Sequence, residues 1–257
     1  MIDIHCHILP GVDDGPSTLS ESIAMAKQAA ADGIQTVVAT PHTLNEVYHN
    51  SAVDVNAHVD RLREALAKER IELDLRPGSD AHLCVEMAEK VLAGEVATID
   101  NNGQYLLIEF PVQVMPVGFK GELFQLKLKG ITPIITHPER NTVFQQKTEL
   151  LYDLVNMGCL LQITAMSITG EFGEEPMKSA RRMLELRLAH IIATDAHSPE
   201  IRPPILSPGV EAAARVLGNL TEAEEMVTIR PQAILEGKPV EIPEPKHPRK
   251  KWWRLGL

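Results

Sequence analysis

Apolar residues along this chain gather in short, nearly unbroken runs, separated by longer segments with helical spacing. Ile131-Thr-Pro-Ile-Ile135 and Ile191-Ile-Ala193 are runs of the first kind. A strand buried on both faces reads this way, so the pattern predicts parallel strands covered by helices. Strands are predicted over residues 1–7, 34–40, 71–76, 105–110, 131–136, 160–164 and 190–194. The segments between them carry helix punctuation. Thr18-x-x-Glu21 is a capping box ahead of Ile23, with Gly33 placed to end that helix, and Val59, Leu62 and Leu66 share one helical face. Residues 85–92, 119–128 and 148–157 run up to Gly94, Gly130 and Gly158, and 177–188 completes the alternation. Repeated strand–helix units predict an α/β barrel of seven or eight strands rather than an open sheet.

Past Leu206 the pattern turns helical at 209–217 and 222–226, then Pro-rich at Pro239, Pro243 and Pro245, and ends in a basic stretch holding Trp252 and Trp253. We therefore expect one domain over 1–240 and a tail over 241–257. Basic residues beside tryptophan suit an anionic membrane surface or a partner protein.

Composition narrows the picture. Aromatics make up 4% of the 257 residues, so Leu, Ile, Val and Ala must fill the interior. The net charge of −10 argues against nucleic acid as a ligand, because phosphate backbones need a basic surface. Cys6, Cys84 and Cys159 are too few and scattered for a disulfide framework and read as reduced thiols. With no signal segment ahead of His5 and no membrane-length apolar run, a cytoplasmic location is expected, with peripheral contact at the inner membrane face through the tail.

The chemistry lies where the predicted strands end. His5 and His7 close the first, His42 follows the second, and Asp80 follows the third. Glu109 ends the fourth, His137 the fifth, and Asp195 with His197 the seventh; the sixth ends in Gln162-Ile-Thr164. Strand C-termini in a barrel form one rim, which holds the active site. Buried carboxylates are unfavourable unless paired or metal-bound. Mixed imidazole and carboxylate donors suit Mn²⁺, Fe²⁺ or Zn²⁺ and not a thiolate zinc site. With Asp14 as a further donor, the set exceeds the needs of one ion, and a two- or three-metal cluster is expected. Such clusters activate water and clamp phosphoryl oxygens.

In this order the residues resemble the PHP (polymerase and histidinol phosphatase) family, and in particular its bacterial tyrosine-phosphatase branch of capsule and exopolysaccharide synthesis, the CpsB/CapC/YwqE type. The segments that carry the resemblance are Met1-Ile-Asp-Ile-His-Cys-His7, Val12-Asp-Asp-Gly-Pro16, Ala39-Thr-Pro-His42, Leu107-Ile-Glu-Phe110, Thr136-His-Pro-Glu-Arg140, Ala193-Thr-Asp-Ala-His197 and Arg202-Pro-Pro204. The resemblance implies a distorted (β/α)₇ TIM-like barrel with three divalent ions, often manganese, with Mg²⁺ among the alternatives. It implies one ion among His5, His7, Asp80 and Asp195, a second held by Glu109 and His137 with Asp80 as the bridge, and a third by Asp14, His42 and His197. It also implies phosphate binding by Arg140 and Arg202. The family usually bridges with Glu, so Asp80, one methylene shorter, is a departure.

A phosphocysteine mechanism needs Arg six positions after the nucleophile, where this chain has Val12, Lys90 and Ala165. Attack by a metal-held hydroxide is expected instead, with Asp14 or His42 protonating the leaving group. The expected substrate is phosphotyrosine on a protein, in particular a bacterial tyrosine autokinase. The alternatives are a small phosphate ester of the histidinol-phosphate type, or a non-catalytic regulatory role.

Overall fold

The computed structural model describes residues 1–248. The first half of the chain gives β1 (Ile2–Cys6), α1 (Leu19–Ala31), β2 (Thr36–Ala39), β3 (His42–Thr43), α2 (Ala52–Lys68), β4 (Asp74–Pro77), β5 (Asp80–His82), α3 (Met87–Leu92), β6 (Tyr105–Glu109) and α4 (Phe119–Leu128). Then come β7 (Thr132–Thr136), α5 (Thr142–Gln146), α6 (Thr148–Asn156), β8 (Leu160–Thr164), α7 (Ala165–Thr169), α8 (Glu174–Glu185) and β9 (Ile191–Ala193). Three helices close the described chain: α9 (Ser207–Leu217), α10 (Leu220–Glu225) and α11 (Ile229–Leu235).

All neighbouring strands are parallel, in the orders β1-β2-β4 and β3-β5-β6-β7-β8-β9. The two sheets are continuous along the chain, because β2 runs into β3 through Pro41 and β4 into β5 through Gly78. Pro41 has no N–H to give a ladder. A Cβ on Gly78 would lie 2.8 Å from Val38 Cγ1, so the backbone there passes close against β2. At the other end β9 is tied back to β1: Asp195 N donates to His5 O at 2.8 Å and His7 N to Ala196 O at 2.9 Å. The arrangement is barrel-like, with the helices outside. The expected strand–helix alternation is present, and the strands expected at 34–40 and 71–76 are each followed by a further short strand, β3 and β5, that the sequence pattern did not predict.

On the strands other than β1, side chains alternate between two apolar layers. Val37, Leu106, Ile108, Ile135, Leu161 and Ile192 point outward into the core beneath the helices. Val38, Tyr105, Leu107, Ile134, Leu160 and Ile191 point into the enclosed space, which Ile234 of α11 closes at its N-terminal end. This double burial accounts for the unbroken apolar runs. On β1 the alternation fails: Ile4 joins the inner cluster, and His5 beside it also faces inward, toward Gln162. Regular pleating cannot do this, but the register against β2 shifts between Asp3 and Cys6, and such an irregularity re-aims side chains.

The Thr18 capping box forms as expected. The Pro-rich stretch runs along the body, where Tyr105 OH donates to Lys238 O at 2.5 Å and Lys246 N to Leu186 O at 2.8 Å. The tail tryptophans lie outside the described residues. Among the described residues no helix is long and apolar enough to cross a membrane.

A candidate metal centre at the strand ends

The inward positions change character along each strand. On β6, Tyr105 and Leu107 give way to Glu109; on β7, Ile134 gives way to Thr136; on β8, Leu160 gives way to Gln162 and Thr164. At this end His5 Nε2 lies 3.1 Å from His7 Nε2, 3.5 Å from Asp80 Oδ2 and 3.4 Å from Asp195 Oδ1. His42 Nδ1 stands 3.3 Å from Asp80 Oδ2 and 3.4 Å from Glu109 Oε2. Asp14 Oδ1 is 3.4 Å from both His42 Nε2 and His197 Nε2, and His137 Nε2 is 3.6 Å from Glu109 Oε1.

The nine residues singled out as ligands thus meet in one place. Their donor atoms fall into four overlapping groups: His7, Asp14, His42 and His197; His5, His7 and Asp80; His5, His137 and Asp195; and His42, Asp80 and Glu109. Two differences from the expected partition stand out. His137 groups with His5 and Asp195 as well as facing Glu109, and His42 reaches Asp80 and Glu109 with its second nitrogen. Asp80, despite its short side chain, belongs to two groups, and its Oδ1 accepts from Thr136 Oγ1 at 3.3 Å.

The donor set fits divalent cations. Asp80 Oδ2 and His42 Nδ1 are buried and face each other at 3.3 Å outside hydrogen-bond geometry, and both point into the cluster. A buried polar atom left unpaired is unfavourable, so these two mark a position that needs a positive charge. The electrostatics agree. Burial opposes charge on His5 and His42, yet Asp80 and its neighbouring carboxylates push them up to about 9 and about 10. Burial would also raise Asp195, but Arg140, His5 and Arg202 hold it well below the usual carboxylate range. His137 is pushed well below its ordinary value by burial and Arg140.

Residues not singled out in the sequence aim these ligands. His5 Nδ1 pairs with Gln162 Oε1 at 2.8 Å and His7 Nδ1 with Asp13 Oδ2 at 2.7 Å, so each ring turns Nε2 to the cluster. Asp13 also accepts from His42 N at 3.0 Å, fixing the loop that carries another ligand. Asp3, fully buried, accepts from Thr194 N at 3.0 Å and joins β1 to the end of β9. The inward parity of Leu160, Gln162 and Thr164 was a usable signal for Gln162. Nothing local distinguishes Asp13 from Asp14. The backbone contributes as well, since His137 (φ 32°) and Asp195 (φ 50°) take left-handed conformations just past their strands.

Two arginines reach the cluster from one side. Arg140 Nη1 donates to Asp195 Oδ2 at 2.5 Å, and Arg202 Nη2 donates to the main-chain oxygen of Asp195 at 2.7 Å and forms an ion pair with the same Oδ2 at 2.6 Å, while Asp195 Oδ1 faces the histidines. Each is about a fifth exposed, at 22% and 23%. A cleft of about 310 Å³ lined by Asp14, His197, Pro199, Ile201 and Arg202 opens beside them. The cysteines take no part. Cys6 is buried, with its thiol pushed well above the ordinary value by burial, and Cys159 is pushed up to about 12.

Comparisons with known proteins agree with this geometry. The profile of the family described as capsular polysaccharide synthesis, CpsB/CapC, matches residues 1–236. The tyrosine-protein phosphatase YwqE of Bacillus subtilis is 40% identical over 202 residues, 79% of each chain. The tyrosine-protein phosphatase CpsB of Streptococcus agalactiae is 30% identical over 241 residues, 92% of this chain and 98% of that one. A crystal structure from work on YwqE and on CpsB of Streptococcus pneumoniae, described as unique metal-dependent tyrosine phosphatases, superposes with a TM-score of 0.92. It is 34% identical and covers 97% of this chain and 100% of that chain.

Proposed function

Because the chain belongs to the CpsB/CapC family of capsular polysaccharide synthesis, we propose that its strand-end cluster is the site at which it hydrolyses phosphotyrosine. The protein is a metal-dependent tyrosine phosphatase, as its relatives are. The observation that carries the assignment of the site is the meeting of nine imidazole and carboxylate donors with two arginines that share one oxygen of Asp195.

We assign His5, His7, Asp14, His42, Asp80, Glu109, His137, Asp195 and His197 to the metals, three ions in all. Oxygen and imidazole donors without thiolate suit Mn²⁺, Fe²⁺ or Zn²⁺, and we propose Mn²⁺ on the family resemblance. Bound cations would lower the pKa of water from 15.7 towards ~7 and neutralise phosphoryl oxygens. The chain's own residues do the rest. Gln162 and Asp13 hold two imidazoles in one orientation, and Asp195 carries charge between the histidines and the arginines. Arg140 and Arg202 bind the non-bridging phosphate oxygens by charge-assisted hydrogen bonds. A phenol, with a pKa of ~10, leaves readily, so the reaction has little need of a strong general acid.

The substrate is a phosphotyrosine protein, and a bacterial tyrosine autokinase of polysaccharide export is the partner we propose. Asp14 is half exposed at the lip, which suits a segment of a protein better than an enclosed metabolite. Peripheral membrane contact through the basic tail is a separate proposal, tested by fractionation after deletion of residues 246–257.

The test combines metal analysis with turnover. Purified protein should contain divalent metal and hydrolyse a phosphotyrosine peptide in preference to histidinol phosphate. A chelator should bring turnover to background, and Mn²⁺ should restore it. Activity that survives chelation would remove the metal reading, and preference for histidinol phosphate would remove the protein substrate.

A further inference from the structure

The sixth predicted strand is the one that delivers no ligand, yet the loop beyond it reaches the site. β8 passes directly into α7, which ends at Gly170, and Phe172 follows before α8. The ring of Phe172 lies 5.0 Å from the Arg140 guanidinium carbon and 5.5 Å from that of Arg202. One aromatic ring therefore lies within reach of both arginines. Both distances are within the ~6 Å at which a guanidinium is attracted by the ring quadrupole.

The loop is built to present this ring. Gly170 (φ 105°) and Gly173 (φ 97°) flank it in backbone conformations that residues with a Cβ rarely adopt. Gly173 N donates to Gly170 O at 2.9 Å and Glu171 N to Met166 O at 3.0 Å, so the turn closes tightly on α7. Phe172 is half-buried and stands outside the apolar cores. Packing of the interior does not explain its place.

We propose that Phe172 is a positioning residue for phosphate. Its ring braces the Arg140 and Arg202 guanidiniums side by side, at a spacing in which both can engage one phosphoryl group. Asp195 holds each arginine through one terminal nitrogen, Arg140 Nη1 and Arg202 Nη2, and a single anchored nitrogen leaves the guanidinium plane free to turn. Stacking on a common ring restrains both planes. The inference rests on the reading that the two arginines bind phosphate, and it adds the element that orients them.

Calorimetric binding of inorganic phosphate to the Mn²⁺-loaded protein tests the idea without needing turnover. Phe172→Leu keeps apolar bulk but removes the π face, and should weaken phosphate binding by about tenfold, the loss expected for partly buried cation–π contacts. Metal content should stay at the wild-type level, and Phe172→Trp should restore the affinity lost in the leucine variant. Phe172→Met carries the same expectation as leucine, should the branched side chain disturb the fold. KM for a phosphotyrosine peptide should rise in step with the phosphate dissociation constant. Unchanged phosphate affinity in both aliphatic variants, no rescue by tryptophan, or metal loss in parallel with phosphate loss would each overturn the proposal. Wild-type protein that binds phosphate through Phe172 but fails to hydrolyse phosphotyrosine would instead overturn the assigned site chemistry.

Discussion

The two ends of the strand-enclosed space are built from the same strands and share little else. At the N-terminal end Ile2, Ile4, Tyr105, Leu107, Ile134, Leu160 and Ile191 meet beneath Ile234, a dry floor that holds by close packing. At the C-terminal end the inward positions of those strands carry Glu109, Thr136 and Gln162, and chain just beyond β7 and β9 adds His137 and Asp195. Only two to four residues of strand separate the ends. A sheet can hold a fully apolar region and a dense cluster of charge in one cavity because each inward step along a strand is a separate choice. The floor supplies the stability that the rim, with its buried charges, does not.

That division of labour can be tested from both ends. The largest effect on stability should come from the floor: Leu107→Ala, at a fully buried inward site, should lower unfolding free energy by about 2–5 kcal/mol. Urea denaturation measures it, and metal affinity of the remaining folded protein should be unchanged. A parallel loss of metal affinity would show that the two ends are coupled. Asp13→Asn at the rim should do the reverse, reducing metal affinity by ~10–100-fold, as removal of a carboxylate that orients a ligating histidine does. Chelator competition would read this, with little change expected in the denaturation midpoint. The smallest effect should come from outside both regions. Thr18→Ala removes the cap of α1 and should cost about 1 kcal/mol in thermal unfolding without altering turnover.

The floor and the outer core were legible because burial on both faces leaves its mark on consecutive residues. The runs at 131–135 and 191–193 read directly as strands, and α4 occupies the predicted residues 119–128. The break between β4 and β5 was not legible, since it depends on how closely Gly78 passes Val38 on another strand. Nor was α11, a helix containing Pro231 that lies against the base of the strands. At the rim, the residues expected at the strand ends could be picked out by chemical type, and the structure brings them together. Their partners could not. Asp13 and Asp14 are adjacent and identical in type, so only the loop conformation decides which one orients His7 and which one faces His42 and His197. Phe172 has no periodic or motif signal, because its role depends on two arginines that are distant in sequence.

The left-handed backbones at His137 and Asp195 carry a different lesson. That conformation disfavours most side chains by ~1–2 kcal/mol and is free for glycine. Histidine and aspartate tolerate it better than most, but neither is what folding alone would select at such a turn. If the lineage ceased to need the site, random substitution would meet little resistance at these two positions, and glycine there would be favoured. Both positions therefore carry a ligand where the backbone alone would favour glycine. A relative that keeps the fold but carries glycine at both would be read as a scaffold that has retired from chemistry, whatever the rest of its sequence preserves.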